Sequence, residues 1–223
     1  MSDYLRNGQN FGWGPGVATL NPEKTELLSK FALGKCLDIG CGSGIYANFL
    51  QSCGHLTTGV DNEPVFIAAA SKKYPQIKFV KSEATSLPFK TNEFDTVILF
   101  DIIEHLDDIK MLKEAARVGR RLIISVPHSN QKILTEYSLV HTHYLDKTHL
   151  RTYTPTSLKK VLQMAKLMVV FCQPSLPISL SGLFIKQISQ GNNLKKFLLK
   201  IVLKPFLPEP SLYSTVFAVA EKE

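Results

Sequence analysis

No apolar run in these 223 residues approaches the roughly 20 that a bilayer-spanning helix needs. The opening Met1-Ser2-Asp3-Tyr4-Leu5-Arg6 lacks the basic stretch and apolar core of a secretory leader, so no leader is expected. Cysteine is sparse: Cys36, Cys41, Cys53 and Cys172 form no C-x-x-C pair, which favours free thiols in a reducing, cytoplasmic setting. Internal repeats are absent. Acidic residues are missing altogether from 183 to 207, a stretch holding Lys186, Lys195, Lys196, Lys200 and Lys204. The formal charge of +7 is therefore concentrated rather than spread, and an anionic surface is a more natural partner for that stretch than for the whole chain.

What is present begins at Lys35-Cys36-Leu37-Asp38-Ile39-Gly40-Cys41-Gly42-Ser43-Gly44, a short apolar strand running into a glycine-dense turn. Glycines belong where the backbone takes positive φ or approaches a ligand with no Cβ between them. A helical pattern follows, and its free N–H groups would face a negative group on that ligand. Asp61 ends the next apolar stretch, Leu56 to Val60, where an acidic side chain is placed to hold a ribose diol. A nucleotide-type cofactor is implied. Gly42-Ser43-Gly44-Ile45-Tyr46-Ala47 also fits the dinucleotide pattern G-x-G-x-x-A, so an NAD-dependent oxidoreductase stands as an alternative on these residues alone.

Strand-like runs at 35–39, 56–60, 77–80, 95–100 and 121–126 alternate with helical patterns at 44–53, 63–74, 107–118 and 155–167. Such alternation predicts an α/β fold with a doubly wound, mostly parallel sheet. Asn21-Pro22-Glu23 predicts a helix start: a capping side chain, proline at the first position and an acid in the first turn. One domain over 1–223 is expected. To it are appended an irregular arm at 1–20, a His-rich insertion at 127–154 and a basic, apolar cover at 174–212, with late strands at 168–173 and 213–220.

Four segments carry a resemblance. Leu37 to Gly44 resembles motif I of the class I S-adenosylmethionine-dependent methyltransferases, and Gly59-Val60-Asp61 resembles the end of their second strand. Ser82-Glu83-Ala84-Thr85-Ser86-Leu87-Pro88-Phe89 resembles the loop beside the adenine, and Phe94 to Asp101 the fourth strand with its acidic exit. The segments keep the family's order and spacing over roughly residues 30 to 173. The resemblance implies seven strands, the last antiparallel, and S-adenosylmethionine held by Asp38, Gly40, Cys41, Gly42, Gly44, Asp61, Asn62, Glu83, Ala84 and Asp101. Asp38 is expected to organise the glycine loop through backbone N–H groups and to lie near the methionine part.

A second constellation, Asp101-Ile102-Ile103-Glu104-His105, ends the fourth strand. If helical, it puts Asp101, Glu104 and His105 on one face. A third runs from His128 through His141, His143 and His149 to Arg151 and Tyr153. It resembles the segment after the fifth strand in quinone-biosynthesis O-methyltransferases and in small-RNA 2′-O-methyltransferases; in the latter, such a histidine and the acid-acid-His segment hold a metal. Two mechanisms follow: His105 or His149 as general base, or Glu104, His105 and His149 as ligands of a divalent cation. The chain departs from the RNA group around that histidine and lacks its RNA-binding domains, so nucleic acid is not the expected partner.

The tract Leu194 to Lys204 sets lysines against a leucine-rich face. It reads either as an ordinary helix packed on the domain or as an interfacial helix touching an anionic membrane or lipid-linked substrate, with Leu180, Leu183, Phe184 and Phe206 as an apolar lid. The expectation is O-methylation of a small or lipid-like hydroxyl compound by a cytoplasmic or membrane-associated enzyme. N- or C-methylation comes next, then RNA 2′-O-methylation, with a non-catalytic cofactor-binding scaffold as the reading of another class.

Overall fold

Parallel strands need long crossovers, and this chain supplies most of them as helices. The computed structural model describes residues 18–129, 146–189, 192–206 and 212–222. In chain order the elements are α1 (Pro22–Phe31), β1 (Cys36–Ile39), α2 (Ile45–Ser52), β2 (Thr57–Asp61), α3 (Pro64–Lys73), β3 (Lys78–Lys81), β4 (Phe94–Phe100), α4 (Asp108–Val118) and β5 (Gly119–Pro127). There follow α5 (Pro155–Met164), β6 (Leu167–Pro177), α6 (Leu180–Ser189), α7 (Asn193–Leu203) and β7 (Tyr213–Lys222). The seven strands form one sheet in the order β3-β2-β1-β4-β5-β7-β6.

Local sequence explains the starts. Asn21 caps α1 by accepting from the Lys24 N–H at 3.0 Å, with Pro22 at the first position. Asp107 caps α4 in the same way. Thr154 and Ser157 form a reciprocal capping box on α5, again with proline at the first position.

Side chains alternate across the strands and so divide the core in two. Leu37 and Ile39 of β1, with Val97 and Leu99 of β4, pack under α4 and α5 against Met111, Leu112, Leu158 and Leu162. Cys36 of β1, with Ile98 and Phe100 of β4, packs on the other face against Leu27, Leu28 and Leu50. Burial on both faces is what continuous apolar strands such as Val97-Ile98-Leu99 require. At one sheet edge β3 exposes Lys78 and Lys81, charges that discourage pairing with another chain.

β1 to β5 run parallel, whereas β7 lies antiparallel between β5 and β6. This is the closing strand that the methyltransferase resemblance implies. β6 extends further than the sequence pattern indicates, to Pro177, and its pairing register shifts between Val169 and Phe171. Pro127 pairs with Thr215, so the connection between β6 and β7 emerges at the carboxyl ends of the parallel strands. Ligand sites of open α/β sheets lie over that edge.

Candidate active site

Gly40, Gly42 and Gly44 all take positive φ, at +71°, +49° and +75°. The reasons differ. A Cβ on Gly44 would stand 2.7 Å from the Phe79 ring, so this position is closed by packing. A Cβ on Gly42 would meet nothing within 4 Å. That face is left open for a ligand to approach the backbone.

Asp61 holds the loop itself, while Asp38, which the sequence suggests for that role, meets the Ala47 N–H just after it. The Gly42 N–H donates to Asp61 Oδ2 and the Glu63 N–H donates to Asp61 Oδ1, both at 2.9 Å. Strand β2 ends beside the loop, because Gly40 and Cys41 both donate to the Val60 carbonyl. That register is what brings Asp61 to Gly42. Burial raises the Asp61 carboxyl, and the two N–H groups counter it.

Asp38 is 3% exposed, and its Oδ2 has no partner among the described residues. Burial first, and the Asp61 charge second, push its carboxyl up to about 7; the Ala47 N–H at the start of α2 opposes the rise. An under-compensated carboxylate here suits a cationic ligand group.

A cavity of about 290 Å³ opens beside the loop. Gly40, Asp61, Asn62, Glu83 and Ala84 line it, as the cofactor expectation requires, and so do Ile102, His105, Leu106 and Thr148. Cys41, Gly42, Gly44 and Asp38 stand in or behind the loop rather than in that wall.

Asp101 departs from its expected place. It adopts a left-handed φ of +52°, and the helical turn after it covers only Ile103–His105, so it does not share a face with Glu104 and His105. Its Oδ1 accepts from the Ser125 hydroxyl at 2.8 Å, and its Oδ2 is paired with the buried Lys24 ammonium of α1. The Asp101 side chain is half-exposed; partial desolvation pushes its carboxyl up, but the Lys24 charge and hydrogen bond outweigh this and hold it below the usual range. Lys24 lies 5.1 Å from the Phe100 ring centroid, a cation–π contact that adds to the anchorage. Lys24 and Ser125 are site residues that the sequence does not flag; they sit on other elements, and neither is part of a motif.

The structure does bring Glu104, His105 and His149 together. Leu150 N–H donates to the Glu104 carbonyl at 2.9 Å, and Arg151 donates to the Leu106 carbonyl at 3.0 Å. Tyr153 hydroxyl donates to Asp108 at the start of α4, also at 3.0 Å. These contacts lay the last part of the His-rich insertion along the turn after β4. The His105 and His149 rings meet edge to face at 4.5 Å, and ligand atoms of all three residues lie within 4.8 Å of one another. Glu104 is fully buried, with neither carboxylate oxygen partnered among the described residues. Burial and the Asp101 charge hold its carboxyl well above the usual range. Burial and the neighbouring His149 lower the His105 imidazole.

A chain of hydrogen bonds orients His105. Thr148 hydroxyl donates to Asp146 Oδ1 at 2.7 Å and lies 3.0 Å from His105 Nδ1, which also faces the Thr148 carbonyl at 3.3 Å. Since the hydroxyl proton is committed to Asp146, both oxygens facing Nδ1 are acceptors. Nδ1 must then carry the ring proton, and Nε2 the lone pair. Asp146 and Thr148 carry no catalytic motif of their own, although Asp146-Lys147-Thr148 is a local turn signal. His128 sits at the end of β5, outside this cluster, bridged to Tyr153. His141 and His143 lie outside the described residues.

Comparison with known proteins bears on the same segments. Residues 37–122 match the family described as methyltransferase domain. A probable S-adenosylmethionine-dependent methyltransferase of Mycobacterium tuberculosis is 30% identical over 96 residues, 41% of this chain and 35% of that protein. A ubiquinone biosynthesis O-methyltransferase of Dinoroseobacter shibae is 27% identical over 171 residues, 70% of this chain and 65% of that protein. The matched part thus spans about a third of the mycobacterial relative's length and under two thirds of the other's. Among solved structures, an S-adenosylmethionine-dependent methyltransferase of Archaeoglobus fulgidus superimposes with a TM-score of 0.66 at 17% identity, each chain covered completely, which is a likeness of fold. Leu37 to Leu122 is thus similar to a methyltransferase domain, and the seven-stranded sheet around it has the fold seen in that solved methyltransferase.

Proposed function

We propose that the protein transfers a methyl group from S-adenosylmethionine to the hydroxyl of a small or lipid-like acceptor, with His105 as general base. The observation that carries this reading is that His105 lines the cavity bounded by the glycine loop and Asp61, with its Nε2 lone pair left over by the Asp146–Thr148 chain. S-adenosylmethionine, when bound, would supply an electrophilic sulfonium methyl, the acceptor oxygen bonding to that carbon as its bond to sulfur breaks and S-adenosylhomocysteine leaves. The residues then have separate tasks. Asp61 keeps Gly42 in register and offers its remaining lone pairs to a ribose diol; Glu83 and Ala84 border the base. Asp38 faces the positive end of the cofactor. His105 takes the acceptor hydroxyl proton, and positioning within the cavity supplies the rest of the rate.

A lipid-like acceptor is supported by the likeness, over 70% of this chain, to a protein named for ubiquinone biosynthesis. Incubating the protein with labelled S-adenosylmethionine and a prenylated catechol tests this function. Labelled methyl ether is expected, whereas label found only on an amine analogue of that acceptor, offered in parallel, would move the assignment to N-methylation.

A second reading rests on the packing of Glu104, His105 and His149. Their mixed carboxylate and imidazole donors fit a divalent cation such as Mn²⁺ or Zn²⁺, and the unpartnered Glu104 oxygens are consistent with a missing positive partner. A cation there would acidify an acceptor hydroxyl. Activity that survives EDTA leaves the general-base route; activity lost to EDTA and restored by one metal favours the cation.

A further inference from the structure

The lysine-rich helix α7 turns its apolar stripe outward. At about 100° per residue, Phe197, Ile201, Leu194, Leu198 and Val202 fall in one arc of about 140°. Each of them is more than half exposed, and no residue of α7 is buried. Lys200 borders the arc on one side and Lys195 on the other, both exposed. The opposite side carries Lys196, Leu199 and Leu203, all half-buried, and the helix packs on α6. Phe206, just beyond the helix, is 85% exposed. An ordinary packed amphipathic helix would point the other way.

We propose that α7 lies in the surface of an anionic lipid bilayer, apolar stripe down, with Lys195 and Lys200 reaching to the headgroups. Charge argues for this occupant: no acidic residue occurs from 183 to 207. Composition argues against a protein partner, because lysine is depleted at protein interfaces, where tyrosine, tryptophan and arginine are enriched. Flanking lysines can extend their ammonium groups to lipid phosphates while their stems stay on apolar surface. The helix covers about 16 Å, too short to span, and among the described residues no helix is long and apolar enough to cross a membrane. It lies in the connection between β6 and β7, which emerges at the same sheet edge as the cofactor cavity. Docking by α7 would bring that edge to the lipid, where a lipid-like acceptor resides. Vesicle binding by α7 does not depend on the acceptor chemistry, so an error in the proposed function leaves its test unaltered.

The test is sedimentation of the full chain with vesicles of phosphatidylcholine alone or mixed with phosphatidylglycerol. Binding is expected to the mixed vesicles, to weaken as NaCl rises, and to fall roughly 25-fold in K195A/K200A, about fivefold per lysine. Phe197→Glu should remove binding, with the thermal midpoint unchanged. Failure to bind mixed vesicles at low salt, or binding indifferent to both variants, would overturn the proposal. So would a wild-type dimer that Phe197→Glu converts to monomer without any vesicle binding, since the stripe would then belong to a second copy.

Discussion

Replacing Asp38 by asparagine should make the ligand-free protein more stable while weakening its grip on the cofactor. The carboxyl titrates near 3.8 in an open chain and at about 7 in the fold, mainly because it is buried and secondarily because Asp61 is near. At about 1.4 kcal/mol per pH unit, that gap is worth about 4 kcal/mol. Between the two values the unfolded chain has released the proton that the fold retains. Stability from this group therefore falls as pH rises from about 4 to 7, and stays low above it. Asparagine is nearly isosteric and never ionises, so the variant should lose that slope. Part of the gain is offset, because the amide N–H₂ finds little to donate to; a net gain of about 2 kcal/mol at pH 8 is expected, turning into a net loss of about 2 kcal/mol near pH 4, where the wild-type carboxyl keeps its proton in the fold. Urea denaturation of both proteins across that range, without cofactor, measures it. Calorimetry should show the reverse for S-adenosylmethionine, whose positive groups lose a charged partner, with affinity lower by tenfold or more at about 1.4 kcal/mol per decade. A variant less stable than wild type at pH 8, or one with the same pH slope, would refute the claim that Asp38 is an under-compensated charge awaiting a cation.

Other substitutions separate the roles. Asp61→Ala removes the acceptor for two backbone N–H groups and should cost about 1–3 kcal/mol in thermal unfolding, together with most cofactor affinity. Gly42→Ala should cost only about 1–2 kcal/mol for its left-handed backbone, since its Cβ meets no protein atom, yet calorimetry should show cofactor binding sharply reduced. Thr148→Val breaks the link between Asp146 and His105. Single-turnover assays should find methyl transfer slower by about tenfold to a hundredfold with cofactor affinity unchanged, and Thr148→Ser should restore it. Lys24→Met leaves Asp101 without its cation, and the Asp101 carboxyl should rise in an NMR titration while α1 loosens in hydrogen exchange.

Features written in local patterns are legible in the amino-acid sequence itself. The glycine loop announces itself because its three positions need positive φ, and Asp61 because strand β2 stops there. Sheet composition and the capped starts of α1 and α5 follow from hydrophobic runs and from proline after a capping residue. Glu104, His105 and His149 can be grouped from sequence because each borders a strand end or helix start that the fold must gather. What escapes depends on long-range geometry. Lys24 meets Asp101 across 77 positions, and nothing in the composition of α1 marks that lysine among its neighbours. Asp101 leaves its expected helical face because a left-handed residue at the end of β4 redirects the chain, and the one-dimensional pattern has no sign for that. That Asp61 also holds the loop follows from the register of β1 against β2, which only pairing reveals. Likewise, amphipathic periodicity shows that α7 has two faces but not which one the domain covers.

The central claim is that the glycine-loop cavity binds S-adenosylmethionine. Titration of the protein with S-adenosylhomocysteine in a calorimeter, against NADH under the same conditions, addresses this directly. Saturable binding of the homocysteine product with one site per chain, abolished in Asp61→Ala, is the expected result. Binding of NADH in its place would contradict it and return the loop to the dinucleotide reading.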